Sequence, residues 1–188
     1  MKYKNLKDYI YIVKNALSYE VCNEILNEFK KSDEWVDTLI GGGNVNKNIR
    51  NCQTIVISYP HVIQKNSKAR HKLDNAIFDD ASKCIKKYNT RFPHCKIEED
   101  SGYELLKYPE GCFYIEHTDS FKARPRAISC SFILNDNFEG GEFAFFNREV
   151  KYKLDKGDAI MFPSNFMYPH EVMPVTKGTR YSIITWFI

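Results

Sequence analysis

A chain of 188 residues can bury a core of its own and suits one domain, here taken as residues 1–188. Hydrophobic residues make up 43% and charged residues 27%, which is globular composition, and a formal net charge of +3 is too small to argue for nucleic acid. No apolar run suits a signal peptide or a membrane span, so a cytoplasmic protein with no membrane partner is expected, its six cysteines reduced and mostly in the core.

Residues 8–16 alternate and are rich in β formers, which predicts a short strand. Ser18 then fits the N-cap of a helix over about 19–31, with Val21, Ile25, Leu26 and Phe29 on one face. Residues 37–51 hold Gly41-Gly42-Gly43 and several Asn, the composition of a loop. Without a following Gly-Lys-Ser/Thr, a lid or plain loop fits this stretch better than a phosphate cradle. Residues 54–57 predict a strand, and 66–89 a helix buried along Leu73, Ile77, Ala81, Cys84, Ile85 and Tyr88.

From residue 102 the pattern changes to period two, with aromatic and β-branched residues. Turn signals recur at 109–111, 135–137, 140–141, 155–157, 163–165 and 177–178. Short strands so punctuated predict a sandwich or barrel. The fold class is therefore α+β, with helices and lid segments over 1–102 and a β core over 103–188.

If 113–119 is a strand, His117 and Asp119 point to one face and can share one ion. The bland alternative is a hydrogen-bonded pair at a strand end. A third ligand would come from His61, His71, His94 or His170, and His170 is favoured because it stands among the turn signals of the β half. Two imidazoles and one carboxylate leave open positions, as in non-haem Fe(II) oxygenases. Arg180 follows His170 across 177–178, and a hairpin of that length can return its guanidinium toward the metal. A planar guanidinium suits the free end of a dicarboxylate chelated by the metal, and Ser182, two residues on, shares its side.

The run Tyr108-Pro-Glu-Gly111-Cys-Phe-Tyr114-Ile-Glu-His117-Thr-Asp119 carries a family resemblance. It continues through Phe138-Glu-Gly140-Gly141-Glu142-Phe143, Lys156-Gly157-Asp158, His170-Glu-Val-Met-Pro174, Gly178-Thr-Arg180 and Trp186. This region resembles the 2-oxoglutarate/Fe(II)-dependent dioxygenases and is most similar to their prolyl 4-hydroxylase branch. The resemblance implies a double-stranded β-helix, or jelly roll. It makes His117, Asp119 and His170 the catalytic iron ligands, and Arg180 and Tyr108 the partners of the distal carboxylate of 2-oxoglutarate. Tyr108 and Trp186 each carry core packing as an alternative.

The cofactors implied are Fe(II), 2-oxoglutarate and O₂, with ascorbate as an accompanying reductant. The expected reaction is hydroxylation of a C–H bond, first of a prolyl residue in a peptide or protein. A free amino acid or other small metabolite is the second substrate class, a non-catalytic jelly-roll module the third reading, and nucleic-acid oxidation a minor fourth. Trp35, Arg50, Arg124, Arg126 and Trp186 are candidate substrate contacts, on the lid segments 37–51 and 120–126 or beside the core. Asn135, Glu142 and Arg148 fit ordinary loop roles better than the mouth of the site.

Overall fold

The computed structural model of the chain describes residues 5–41, 43–58, 68–97, 99–123 and 125–188. After a 3-10 turn at Leu6–Tyr9, the elements are β1 (Tyr11–Val13), α1 (Tyr19–Phe29), β2 (Val36–Asp37), β3 (Arg50–Asn51), β4 (Gln53–Ser58) and α2 (Lys68–Arg91). The second half is β5 (Tyr103–Pro109), β6 (Phe113–His117), β7 (Ile128–Ile133), β8 (Phe138–Gly140), β9 (Phe143–Phe145), β10 (Val150–Tyr152), β11 (Ala159–Pro163), β12 (His170–Val172) and β13 (Val175–Phe187).

Both expected helices form. The Ser18 hydroxyl caps α1 by accepting from the Val21 amide at 3.2 Å. Its buried face is Cys22, Ile25 and Phe29, while Val21 and Leu26 are half-buried beside it. Helix α2 buries all six residues of its expected stripe, and also Arg70, whose guanidinium meets Glu34 at 2.8 Å. The first two residues of the expected helix, 66 and 67, lie outside the described residues. Strand β1 is shorter than the expected 8–16, because residues 6–9 wind into the 3-10 turn. The loop 37–51 is not wholly irregular: it ends in β3 and pinches at a Leu39–Val45 bridge.

The strands build two facing sheets. The larger runs β1-β11-β7-β13-β5-β4-β2, with β8 also paired to β13; the smaller runs β10-β9-β12-β6-β3. Alternation along the larger sheet sorts its residues into two cores. Ile55, Leu105, Cys130, Phe132, Tyr181 and Ile183 join one apolar cluster with α1 and α2. Leu106, Tyr108, Ile133 and Ile160 join a second with Phe143, Phe145 and Val172 of the smaller sheet. The helices therefore cover the outer face of the larger sheet, and its inner face is left to the site.

One local expectation is corrected. Residues 177–178 are not the turn of a hairpin. They lie within β13, where Lys177 and Gly178 pair with Glu139 and Phe138 across a register shift. Strands β12 and β13 belong to different sheets, so the chain crosses between the layers at 173–174. Gly178 has φ +78°, and a Cβ there would lie 2.7 Å from the Asn137 carbonyl oxygen, which is why this close approach beyond the register shift carries glycine.

Gly141 is constrained by the site itself. Its φ is +66°, and a Cβ would lie 2.9 Å from Arg180 Cδ and 3.1 Å from Val175 Cγ2. Gly141→Ala is expected to destabilise the fold by about 1–3 kcal/mol, read as a lower thermal midpoint. An unchanged midpoint would show that this backbone relaxes without moving Arg180.

Candidate active site

The strand register brings the expected metal ligands together. His170 of β12 stands directly opposite His117 of β6. Asp119 lies just past the end of β6, where its amide donates to the Ser164 carbonyl at 3.2 Å. The expected strand 113–119 is thus two residues shorter, and the bend after it turns the carboxylate inward. One Asp119 oxygen lies 3.4 Å from His117 Nε2 and the other 3.6 Å from His170 Nε2. One ligand atom from each of the three residues lies within 4.8 Å of the others, a grouping that can hold a metal ion.

Each imidazole is oriented through its other nitrogen. His117 Nδ1 lies 2.9 Å from the Ile115 carbonyl and His170 Nδ1 3.1 Å from that of Tyr168. A carbonyl can only accept, so a hydrogen bond to it places the proton on Nδ1 and leaves the Nε2 lone pair for a cation. Tyr114 stacks on His117 with ring centroids 3.5 Å apart. The Ser129 hydroxyl donates to Asp119 at 2.6 Å and also lies 2.8 Å from the Ser164 hydroxyl.

These contacts set the protonation of the group. Burial alone raises the Asp119 carboxyl, but His170, His117 and the Ser129 hydroxyl together outweigh it and hold the carboxyl well below the usual range. Burial, with His117 beside it, pushes His170 down to about 4, against the pull of Asp119. An anionic Asp119 carboxylate and a neutral His170 imidazole are forms that bind a divalent metal.

Arg180 lies 1% exposed on the inner face of β13. One guanidinium nitrogen, Nη1, donates to the Ser182 hydroxyl at 2.8 Å, which leaves the Ser182 proton free to donate in turn. The other, Nη2, has no hydrogen-bond partner. Tyr108 and Phe143 flank the cation at 5.3 and 5.1 Å. Burial lowers its pKa, and among the described residues no ion pair joins it. A buried cation with an unpaired N–H facing a cleft fits an acidic ligand.

The cleft itself measures ≈ 570 Å³ and is lined by all three candidate ligands, Tyr108, Arg180 and Ser182. Of the candidate substrate contacts, Arg50, Arg126 and Trp186 also line it. Arg50 sits over Tyr114 at 4.8 Å and donates to the Leu39 carbonyl at 3.2 Å, while its Nε is unpaired. Arg126 lies 3.4 Å from the Trp186 ring centroid and donates to the Asp119 carbonyl at 3.2 Å. Trp35 is not in the cleft wall: its ring packs on Tyr181 and its Nε1 donates to the Phe29 carbonyl at 2.9 Å. Arg124 lies outside the described residues.

Three contributors were not legible beforehand. Ser129 and Ser164 hold Asp119. Asn135 receives the Tyr181 amide at 2.8 Å and donates to the Thr179 carbonyl at 2.7 Å, clamping the backbone on both sides of Arg180. The available signal was Ser129 and Ser131, which interrupt an otherwise apolar buried strand at period two.

The depressed His170 value has a measurable consequence. Its folded pKa lies below the 6.5 of an ordinary histidine, so the unfolded chain binds the extra proton. Stability of the metal-free protein is full above about pH 6.5 and falls as pH drops toward 4, by roughly 3 kcal/mol. Asp119, also depressed, adds to the loss at still lower pH. Denaturant midpoints across this range should fall with pH in the parent and much less in His170→Gln. Equal slopes would contradict the assignment.

Comparison with known proteins agrees with this geometry. Residues 103–188 match the model of the 2OG-Fe(II) oxygenase superfamily. A PKHD-type hydroxylase of Aliarcobacter butzleri is 30% identical over 189 residues, covering 93% of this chain and 76% of that protein. The PKHD-type hydroxylase IL0759 of Idiomarina loihiensis is 35% identical over 88 residues, but that match spans only 44% of this chain and 39% of the relative. Among solved structures, a Trichoplax adhaerens prolyl hydroxylase in complex with a hypoxia inducible factor peptide fragment superposes with a TM-score of 0.78. At 21% identity it covers 96% of this chain and 83% of its own, and it shares the fold. With a 30% identical relative matched over most of both chains, and the motif-bearing residues 103–188 matched by the family model, the chain belongs to the 2OG-Fe(II) oxygenase superfamily.

Proposed function

We propose that the chain is a 2-oxoglutarate- and Fe(II)-dependent dioxygenase that hydroxylates a prolyl residue in a peptide or protein. The observation that carries this reading is the buried, unpaired Arg180 nitrogen in the same cleft as the His117, Asp119 and His170 group. A dicarboxylate is the ligand that can reach both.

In this mechanism His117, Asp119 and His170 would hold the iron. When bound, the metal would supply, with O₂ and 2-oxoglutarate, an oxidative decarboxylation that gives succinate and CO₂ and converts a substrate C–H bond to C–OH. Arg180 would pair with the distal carboxylate through its unpartnered Nη2, while the Ser182 hydroxyl and Tyr108 ring hold the guanidinium in place. Ser129 keeps Asp119 charged and oriented. Phe143, Phe145 and Phe162 pack around His170 and keep water from it.

The rim favours a peptide over a small metabolite. Val36, Leu39 and Phe121 line the cleft and are 58%, 53% and 40% exposed, so its wall continues outward as apolar surface. A free amino acid would leave that surface uncovered. The Trichoplax neighbour, which shares the fold, is a prolyl hydroxylase solved with a peptide fragment, and it supports the same choice.

Succinate release in the presence of Fe(II) should be stimulated by proline-bearing peptides and not by free amino acids. Stimulation by a free amino acid alone would replace the peptide reading with the small-metabolite one. His117→Ala and Asp119→Ala should abolish turnover without loss of fold, and unchanged turnover would defeat the metal assignment. Arg180→Ala should raise the 2-oxoglutarate requirement by orders of magnitude, since truncating one side of a buried charge pair costs about 2–5 kcal/mol. An unchanged requirement would mean that Arg180 serves another ligand.

A further inference from the structure

We propose that Cys52 and Cys112 are a peroxide-sensitive thiol pair whose closure to a disulfide weakens co-substrate binding in the adjoining cleft. The disulfide stands on the strand register alone, while its effect rests on the 2-oxoglutarate reading above.

Strands β3 and β6 are antiparallel, with Arg50 opposite Tyr114 and Asn51 opposite Phe113. One residue further in this register, Cys52 falls opposite Cys112. The Ile115 amide donates to the Ile49 carbonyl at 3.0 Å, which places the hydrogen-bonded rows at 49/115 and 51/113. The rows 50/114 and 52/112 are then the close, non-hydrogen-bonded ones, with Cα atoms about 4.5 Å apart. That lies within the roughly 4.4–6.8 Å span of a disulfide. Opposed residues share a face, as the Arg50 guanidinium over the Tyr114 ring shows in the preceding row. Both cysteines also pack into the same apolar cluster.

Their places in the fold make the pair distinct from the other thiols. Cys52 is the single residue between β3 of the smaller sheet and β4 of the larger. Cys112 follows the turn that carries the chain from β5 of the larger sheet to β6 of the smaller. A bond between them would staple two neighbouring corners. Cys22, Cys84 and Cys130 are buried in the helix-facing core, against which the half-buried Cys95 packs, whereas Cys112 is half-buried beside Cys52 and within reach of a small oxidant.

The chemistry balances with hydrogen peroxide as the oxidant. The Cys112 sulfur, as thiolate, attacks one peroxide oxygen; an S–O bond forms, the O–O bond breaks, and hydroxide leaves and takes up a proton as water. The Cys52 sulfur then attacks the Cys112 sulfur, the S–S bond forms, the S–O bond breaks, and a second water leaves with the Cys52 proton. Peroxide gains two electrons and each thiol sulfur gives one. Burial, then Cys52 nearby, holds the Cys112 thiol above its ordinary range, so closure should quicken as pH rises.

Closure acts on the cleft through Cys52. Its sulfur lies 3.0 Å from the hydroxyl of Thr38, which lines the cleft, and Cys52 shares an apolar cluster with Tyr108, whose ring faces Arg180 at 5.3 Å. Drawing the sulfur toward Cys112 withdraws it from the Thr38 hydroxyl and shifts the packing beside Tyr108, against which Arg180 is held.

The test is to treat the full chain with hydrogen peroxide, digest it without reductant and map the linked peptides by mass spectrometry. A peptide pair joining Cys52 to Cys112 is expected, lighter by two hydrogens and separated by dithiothreitol. Free thiols at both positions, or linkage to other cysteines instead, would overturn the proposal. This readout needs no turnover, so it is independent of the enzymatic reading. In a second arm, 2-oxoglutarate binding to the Mn(II)-loaded protein should weaken at least tenfold after peroxide and recover with dithiothreitol. Cys112→Ser should bind as the reduced parent does and resist peroxide. A linked pair with undiminished binding, or equal loss in Cys112→Ser, would overturn the regulatory part.

Discussion

A guanidinium shut away from water without a counter-charge is the constraint around which this fold is arranged. Removing an ion from water costs several kcal/mol even after relaxation, and a lone hydroxyl does not restore that. Arg180 receives one hydroxyl, two aromatic faces and a backbone clamped by Asn135, and one of its nitrogens still has no partner. Such an arrangement is stable in a marginally stable domain only when the rest of the structure over-determines it. Gly141 shows the degree of determination, since the space beside the Arg180 side chain does not admit even a Cβ. An acidic ligand would supply the missing counter-charge, which is why the cation is more informative about function than any other side chain in the cleft.

The metal-ligand group depends on the same two-layer plan. Its imidazoles come from adjacent strands of the smaller sheet, while Arg180 comes from the facing sheet. The distance between the two charge centres is therefore fixed by sheet-to-sheet packing through Phe143, Phe145 and Phe162, not by a flexible loop. Aromatic side chains fill that layer with few soft torsions, which makes the spacing hard to change without loss of packing. The helices lie outside this arrangement. They stabilise the larger sheet from its far face and contribute no residue to the cleft wall.

The legible part of this structure was set by local pattern. The stripe from Leu73 to Tyr88 needs only 3.6-residue periodicity, and all six positions are buried. The motif from Tyr108 to Asp119 carried both its ligands and the identity of the fold. Long-range pairing was less readable. A glycine after lysine at 177–178 looks like a turn from composition, yet the same residue lies inside a 13-residue strand, close against β8. Only the partner strand, β8, distinguishes the two. Trp35 stood beside a lid and was expected at the substrate, but its indole finds a carbonyl and an aromatic neighbour on the helix-facing side. Asn135 reads as an ordinary loop residue and Ser129 carries no signal of its own, because their value lies in which distant backbone or carboxylate they meet.

A two-point cradle, with a metal at one end and Arg180 at the other, must discriminate ligands by length. The most direct measurement is therefore a calorimetric comparison of 2-oxo acids binding to the Mn(II)-loaded protein. 2-Oxoglutarate should bind at least tenfold more tightly than its one-carbon-shorter homologue oxaloacetate and than pyruvate, which lacks the distal carboxylate. Equal affinity for the three would contradict a cradle built on the spacing between the metal ligands and Arg180.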